Sequence, residues 1–479
     1  MFIATPFQAT AQGRSSGGRA APPGRSVPQT VLAVVAEVVP EAAEALRNRI
    51  RALAATRPDG TRIRAQDKAF RARLDALPGL HFLSMAVFED KHFDPVLVFE
   101  NNFDGTPAEY WPGVERAFGP ELRGVLACTK AAADPRWAAL FAPGATASLI
   151  SFLDAHTVLP AARHLGHPGL SAARINAEAQ LFDRVQVVVD EVRDRLARLA
   201  PEDAHHLVRA RLLPEFPWLD EAAAPRRAPG EQAANVGRLA LFAGGVASPL
   251  LVAAGLWAGR RRKAAAGTLL LAAAGAAGAV RQLRRLEETD PVQDRPAPDR
   301  HALQRFSESE DNIVQNHIAS MVLVKPGALR AVLLRLGLRV LKRAVPVIYA
   351  DGYLGTMRTI HFAHWSLIGN GGRLLFLSNF DGSWQSYLDD FVDKAHVGLT
   401  LAWSNCVGFP RTRLLVEGGA TKGRQFKAWA RLSQTESLLW HSAYPSLTVN
   451  QIERNTRVAD GLRNALPSAE EAAAWMDQL

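Results

Sequence analysis

Two stretches of the sequence, HFLSMAVFEDKHFDPVLVFENNFDG at 81–105 and HFAHWSLIGNGGRLLFLSNFDG at 361–382, decide the fold. Each stretch begins with His-Phe, continues through two apolar segments separated by a turn, and ends with Asn-Phe-Asp-Gly. The first copy is three residues longer, which fits a longer hairpin turn at 89–94 opposite the Gly-Asn-Gly-Gly of 369–372. The shared order of strand, turn, strand and motif predicts an internal duplication.

Segments of equivalent character surround the two copies. In the first half we predict a strand at 30–38, a helix at 40–56, strands at 80–88 and 96–100, and a helix that begins at the capping box of 106–109. In the second half we predict a strand at 317–324, a helix at 328–344, strands at 359–368 and 373–377, a helix capped by Ser383, and a last strand at 412–417. This order predicts an α+β fold of two ferredoxin-like βαββαβ units, at 30–165 and 310–420.

The longest apolar segment lies between the two halves. Residues 239–259 (LALFAGGVASPLLVAAGLWAG) carry no charge, four cations follow at 260–263, and 264–280 are apolar again. Because about 20 apolar residues cross the hydrocarbon core, we predict a membrane hairpin of two apolar helices at 239–280, with two buried helices of a soluble core as the alternative. Cations stand both at the turn and at the flanks, so a re-entrant hairpin and two separate spans both stay open.

Three further segments complete the organisation. We predict that residues 1–29 form a disordered lead-in, and they contain no apolar signal region. The absence of a signal region predicts that the protein is membrane-associated with its globular halves in the cytoplasm. Residues 171–200 have the pattern of an amphipathic helix, and 421–479 that of a helical C-terminal extension.

Composition narrows the classes of partner. The 479 residues include 56 Lys+Arg against 47 Asp+Glu, a formal charge of +9, which favours anionic partners. Two cysteines exclude a disulfide scaffold. The sequence shows neither a nucleic-acid recognition fold nor a dense basic stripe, so we expect no nucleic-acid partner. We therefore expect a lipid bilayer and a lipophilic or anionic small molecule as partners.

Two such units in one chain resemble the dimeric α+β barrel superfamily, in which two ferredoxin-like sheets close against each other. This superfamily includes dye-decolorising peroxidases, chlorite dismutases and small monooxygenases. The sequence Asn-Phe-Asp-Gly-Thr at 102–106 is similar to the Gly-x-x-Asp-Gly signature of dye-decolorising peroxidases, with Asn101 in place of the first glycine. The resemblance implies an intramolecular α+β barrel and haem as a candidate cofactor, and it assigns the haem ligand to no particular histidine.

Aromatic and imidazole side chains concentrate in the second half, where five of the ten tryptophans fall between 365 and 440. Such a concentration is typical of a cofactor or apolar-ligand pocket, and equally of a plain aromatic core. The predicted cofactor-binding residues are His364, Trp365, His396 and Trp403. The predicted catalytic residues are Asp381, His364 and His396. We predict no metal site, because His156, His164 and His167 match no compact ligand spacing.

The acids of the repeated motif, Asp104 and Asp381, have two interpretations. Each either accepts backbone N–H groups at a strand-to-helix turn, or one of them acts in catalysis. Both copies keep the acid, which favours the structural interpretation, and Gly105 and Gly382 allow the positive φ that a chain reversal requires.

Two functions follow as hypotheses. The first is a membrane-anchored α+β barrel oxidoreductase, peroxidase- or monooxygenase-like, that acts on a lipophilic substrate. The alternative is a non-catalytic, membrane-tethered scaffold that binds lipid or a protein partner. A Soret band in the absorbance of the purified protein would separate them.

Overall fold

The computed structural model describes residues 27–53, 68–291, 314–349 and 357–479. Its strands are β1 Gln29–Glu37, β2 Leu80–Asp90, β3 Phe93–Asp104, β4 Thr157–Val158, β5 Ala162–Leu165, β6 Gln315–Leu323, β7 Ile360–Ile368, β8 Arg373–Asp381, β9 Thr412–Arg413, β10 Glu417–Gly418, β11 Gln434–Thr435 and β12 Ser437–Ser442. The predicted lead-in lies almost wholly outside the described residues.

The α-helices cover both halves and the segment between them. They are α1 Ala43–Leu53, α2 Lys68–Asp75, α3 Pro107–Leu126, α4 Ala138–Phe141, α5 Ile150–Ala155, α6 Ala172–Glu191, α7 Arg193–Leu196, α8 Pro201–Leu212, α9 Glu231–Val246, α10 Ser248–Ala258, α11 Arg262–Thr289, α12 Ala328–Ile348, α13 Trp384–Lys394, α14 His396–Trp403, α15 Gly423–Ser433, α16 Val449–Arg463 and α17 Ala469–Met476. The α+β class predicted from the sequence is confirmed.

Two five-stranded antiparallel sheets form the centre of the molecule, in the orders β12-β2-β3-β1-β4 and β11-β6-β8-β7-β5. The two repeated hairpins lie at equivalent places in them. Gln29 pairs with Asp104 in the first sheet, and Gln315 pairs with Asp381 in the second. Among the described strands, no hydrogen-bonded ladder joins the two sheets into one closed barrel.

Each sheet takes one edge strand from the other half of the chain. β5 lies within the predicted first unit of 30–165, but it pairs with β7 of the second sheet, with Ala162 opposite Trp365. β12 lies near the end of the chain but pairs with β2 of the first sheet, with Trp440 opposite Ser84. β2 and β7 are equivalent strands, each the first strand of its hairpin. Each half of the chain therefore adds a strand at the equivalent edge of the other half's sheet, and this exchange connects the two halves.

The predicted last strand at 412–417 does not join a sheet. β9 and β10 pair only with each other, because Leu414 and Leu415 between them have positive φ values of 52° and 66°, which an extended strand does not permit. The strand that completes the exchange is instead β12, so 421–479 contributes strands as well as the predicted helices.

The inner faces of the two sheets contact each other, and helices cover the outer faces. Ala33 and Val98 of the first sheet pack with Ala319 and Leu377 of the second. On the outer faces, α1 and α3 cover the first sheet and α12, α13 and α14 cover the second. Strands buried on both faces are apolar along their whole length, which is why the repeated stretches show little alternation.

The turns after the two motifs follow the predicted local chemistry. The backbone N–H of Thr106 donates to Glu109 Oε2 at 2.8 Å, which completes the capping box. Ser383 accepts the N–H of Ser386 at 3.3 Å. Gly105 has the positive φ of 89° that the chain reversal needs.

Three helices, rather than the predicted two, form the apolar segment. α9 and α10 meet at 69°, since Pro249 at the start of α10 has no N–H to continue the helical bonding. The turn at Arg260 separates α10 from α11, a single helix of 28 residues. By length and composition α11 can cross a membrane, and the bent pair α9–α10 forms a second span if it acts as one.

A buried histidine on β12 predicts loss of stability in acid. The side chain of His441 is 2% exposed, and the Asp75 carboxylate lies 3.4 Å from its Nε2 but is itself 47% exposed. Burial, aided by the charge of Arg71, outweighs that carboxylate and lowers the pKa of His441 to about 3 from a usual 6.5. The unfolded chain therefore binds a proton below pH 6.5 that the folded chain excludes until about pH 3. We expect the free energy of unfolding to fall by about 2 kcal/mol between neutral pH and about pH 5 from this residue.

Urea unfolding of the H441Q variant at both pH values measures this loss. The variant should retain less of the acid dependence than the wild-type chain, whereas H92Q, at an exposed histidine of the β2–β3 turn, should retain all of it. An unchanged pH dependence in H441Q would show that His441 does not titrate as its burial implies.

Candidate functional site

The repeated motif builds two equivalent His–Asp pairs in the interior. His81 Nε2 lies 3.0 Å from Asp104 Oδ1, and His361 Nε2 lies 2.8 Å from Asp381 Oδ1. Both histidines are fully buried. Each histidine stands at the start of the first strand of its hairpin and each aspartate at the end of the second strand. Antiparallel pairing brings these two positions side by side, which explains the spacing of the motif.

The second oxygen of each aspartate accepts a backbone N–H from a helix that comes much later in the chain. Ala172 N donates to Asp104 Oδ2 at 2.9 Å, and Val449 N donates to Asp381 Oδ2 at 2.8 Å, across 68 residues in both cases. That both acids accept backbone N–H groups is as predicted, but the donors open α6 and α16, not the helices that directly follow the motif. A negative charge at a helix N-terminus is stabilising.

His167 and Tyr444 connect the two pairs. The Tyr444 hydroxyl lies 2.8 Å from His81 Nδ1 and 3.3 Å from His167 Nε2, and His167 Nε2 lies 3.3 Å from His361 Nδ1. His167 and Tyr444 are separated by 277 residues, as are Asp104 and Asp381, so they occupy equivalent positions in the two halves of the chain. We call His81, Asp104, His167, His361, Asp381 and Tyr444 together the His–Asp–Tyr cluster.

Burial sets the protonation state of the two connecting residues. It lowers the pKa of His167 well below its usual range, and the charges of His361 and His81 add to this effect. It raises the pKa of Tyr444 well above its usual range, and both aspartates of the cluster act in the same direction. At neutral pH His167 is therefore a neutral imidazole and Tyr444 a neutral hydroxyl. As neutral groups, His167 and Tyr444 form hydrogen bonds with the histidines of the cluster. Through the cluster, α6 and α16 are held against both sheets.

A second buried carboxylate, Glu100, lies between the sheets. Its Oε2 accepts Ser84 Oγ and His317 Nε2, both at 2.9 Å, and its Oε1 accepts Asn102 Nδ2 at 2.9 Å and lies 3.5 Å from His364 Nε2. Burial by itself would raise the pKa of Glu100, but the charges and hydrogen bonds of the two histidines outweigh it and hold the pKa well below its usual range. Glu100 is therefore an ionised acid that joins the first sheet to the second.

The four residues predicted to bind a cofactor do not come together. His364 faces Glu100 between the sheets. Trp365, the next residue, faces the helices on the other side of β7, because successive strand residues point to opposite faces. There it packs against Trp403 at 5.8 Å between ring centroids. His396 is half-buried at the start of α14.

The aromatic side chains of the second half form a filled core. Trp403 packs edge to face on Phe376 at 5.0 Å and on Trp429 at 5.7 Å, and all three rings are buried. Of the two histidines predicted to bind a cofactor, His364 does not fit as a haem ligand, since it is fully buried and its ring nitrogens face Glu100 and Ser366. Of the two interpretations of this region, the geometry favours the plain aromatic core.

A cavity of about 480 Å³ opens where the apolar helices leave the globular body. Four cations line it, contributed by β5, α9 and α12: Arg163, Arg238, Lys342 and Arg343. Within the described ranges, no carboxylate forms an ion pair with any of these cations. No sequence pattern marked this site, because its cations come from three segments that lie 75 and 104 residues apart in the chain. A smaller cavity of about 80 Å³ lies beside Arg174 and Trp218.

The base of α11 is fixed to the second half by buried acids. Glu287 is fully buried and accepts the N–H groups of Leu414 and Leu415 at 3.0 Å and the Thr412 hydroxyl at 2.9 Å. The positive φ values of the two leucines turn both N–H groups toward the same carboxylate. One turn later, Asp290 pairs with Lys325 at 2.7 Å. The apolar helices are therefore held in a defined orientation to the body.

Comparisons with known proteins supply no relative from which function could be transferred. The chain matches no protein-family model, no curated protein and no solved structure. The function must therefore be inferred from the geometry of the molecule itself.

Proposed function

We propose that the protein is a membrane-tethered, non-catalytic binding protein, held at a lipid bilayer by the helices α9, α10 and α11. The observation that carries this proposal is the exposure of large apolar side chains on these helices. Leu241, Leu270 and Leu271 are 71–79% exposed, and further exposed apolar side chains continue the same surface: Val246, Leu250, Leu251, Val252, Trp257 and Val280. A contiguous apolar surface of this kind marks an interaction site, and its length suits a bilayer.

The proposal includes the finer fold. We take the two halves to be ferredoxin-like units that form an intramolecular α+β arrangement related to the dimeric barrels. The equivalent sheet orders, the exchange of β5 and β12, and the matched acceptors at Asp104 and Asp381 support this. Because α9 and α11 both return to this body, it lies on one side of the bilayer. The cations at the helix bases, Arg238 and Arg284 among them, favour the cytoplasmic side for this body, and a re-entrant hairpin would keep the four cations of 260–263 on that same side.

The oxidoreductase hypothesis receives less support from the geometry. It would need an opening beside Asp381, His364 or His396. In the described part of the chain, neither the cavity at the base of α9 nor the one beside Arg174 is lined by any of them, and both oxygens of Asp381 are already bonded. A Soret band in the absorbance spectrum of the purified protein would favour the oxidoreductase hypothesis instead.

Flotation with phosphatidylcholine vesicles tests the tether. The variant L270D/L271D places two charges in the middle of the apolar part of α11, at about 2.5–3.5 kcal/mol each in a bilayer. We expect it to lose vesicle binding by at least about a thousandfold, while its circular dichroism stays that of the wild-type chain.

The matched control is L432D/L466D, at two exposed leucines outside these helices. It should float as the wild-type chain does. Equal flotation of L270D/L271D and the wild-type chain would refute the tether.

A further inference from the structure

We propose that the cavity at the base of α9 binds the phosphate headgroup of an anionic phospholipid. This inference rests on the proposed function, because it assumes that the apolar helices are seated in a bilayer. It adds to the proposed function a class of ligand, anionic phospholipids, and a binding site, the cavity at the base of α9.

Cations from three separate elements converge on this cavity, and none of them forms an ion pair with a carboxylate in the described ranges. Arg163 comes from β5, Arg238 from α9, and Arg343 from α12 beside Lys342. Arg238 Nη1 donates only to the amide oxygen of Asn235, at 3.1 Å, which holds the guanidinium at the cavity and leaves its charge unneutralised.

One carboxylate near the cavity belongs to Glu231. It interacts electrostatically with Arg163, but Glu231 Oε2 accepts the N–H of Ala228 at 3.2 Å and forms no ion pair. Among the described residues, the four cations that line the cavity outnumber the one nearby carboxylate of Glu231, so the cavity is net positive. An anion is the ligand that such a cavity favours, and guanidinium groups match phosphate oxygens in geometry.

Location and size select a lipid among phosphate-bearing ligands. The uncharged run of α9 begins at Leu239, directly after Arg238, so the cavity lies where the chain would pass from the headgroup layer into the hydrocarbon. Leu159 and Pro346 add apolar walls to the cavity. A volume of about 480 Å³ lies in the range of small-molecule sites and accommodates a headgroup with part of its glycerol backbone.

The test compares the wild-type chain with R163Q/R343Q in flotation on two kinds of vesicle, pure phosphatidylcholine and an equimolar mixture with phosphatidylglycerol. The control R195Q/R198Q removes the same charge from an exposed region beyond α6. Each Lys or Arg near an anionic surface contributes about a fivefold change in affinity. The wild-type and control chains should therefore prefer the anionic vesicles, and R163Q/R343Q, which lacks two of the four cations, should lose about 25-fold of that preference while it binds the neutral vesicles as the wild-type chain does.

The outcomes separate the cavity from the tether. If R163Q/R343Q keeps the anionic preference, or if the control loses it equally, the cavity is not the headgroup site. If the wild-type chain floats on neither vesicle, the tether itself fails and the inference falls with it. Inorganic phosphate serves as a further probe. If it raises the melting temperature of the wild-type chain but not of R163Q/R343Q, without any vesicle preference, the site takes a soluble phosphate and the lipid assignment is wrong.

Discussion

Replacing Glu100 by alanine is expected to destabilise the protein by about 3–5 kcal/mol, because it leaves buried histidines without their counter-charge. His317 and His364 both face this carboxylate from the second sheet, at 2.9 and 3.5 Å. The loss should appear as a lower urea midpoint. Because Glu100 is ionised in the folded chain at a pH where the unfolded chain is protonated, its contribution is present above about pH 4.5 and is lost as pH falls further.

The equivalent strand pairing of the two sheets supplies the control for this prediction. The equivalents of Glu100, His317 and His364 in the other half are Leu377, Val31 and Ser84. The triple variant E100L/H317V/H364S therefore replaces a buried ionic group by residues that the other half already places at these positions. It should recover most of the stability lost in E100A, since apolar replacement of a whole buried charge network is often neutral. A triple variant as unstable as E100A would show that packing, not charge, explains the loss.

Replacing Asp381 by alanine is expected to cost about 3 kcal/mol, because two buried donors, His361 Nε2 and Val449 N, lose their acceptor, at about 1–3 kcal/mol each. The readout is thermal unfolding, and D104A should behave similarly because Asp104 serves the equivalent pair. D381N, which keeps an oxygen acceptor, should lose less than D381A. Vesicle binding at temperatures below unfolding should be unchanged in all three variants.

An unchanged melting temperature in D381A would contradict the structural interpretation of the aspartates. A second outcome would also contradict it: D381A melts at a lower temperature and, at temperatures where it is still folded, no longer binds vesicles. Asp381 would then be needed for vesicle binding, although no contact joins the cluster to the apolar helices in the described residues.

The hairpins and the class of the fold were predictable because local chemistry determines them. The repeated motif fixes which ends of two neighbouring strands meet, and Thr106 and Ser383 mark the helix starts that follow. The exchange of β5 and β12 was not predicted, because both strands are short and pair with residues far along the chain. Their register depends on tertiary contacts, not on a period in the sequence.

One signal for the missing part of the repeat was present in the sequence. His167 to Ser171 reads HPGLS, and Tyr444 to Thr448 reads YPSLT, at the same 277-residue offset as the two aspartates. In both segments the last residue caps the following helix: Ser171 accepts the N–H of Arg174, and Thr448 that of Gln451. Aligning these segments would have placed His167 and Tyr444 beside the His–Asp pairs.

The predicted cofactor-binding residues His364 and Trp365 lie on opposite faces of β7 for a physical reason. His364 and Trp365 are neighbours in the sequence, but adjacent residues of a strand face opposite sides of a sheet. The basic cavity was unpredictable for the opposite reason, since Arg163 and Arg343 meet only after β5 has crossed to the second sheet and α12 has packed beside it.

The depth of α11 in a bilayer tests the central claim most directly. Both native cysteines, Cys128 and Cys406, are buried, so a cysteine introduced by L270C can carry a fluorophore alone, and one introduced by L466C at an exposed loop serves as reference. In phosphatidylcholine vesicles with brominated acyl chains, we predict strong quenching at position 270 and none at position 466. Equal fluorescence at the two positions would contradict the claim that these helices enter the membrane.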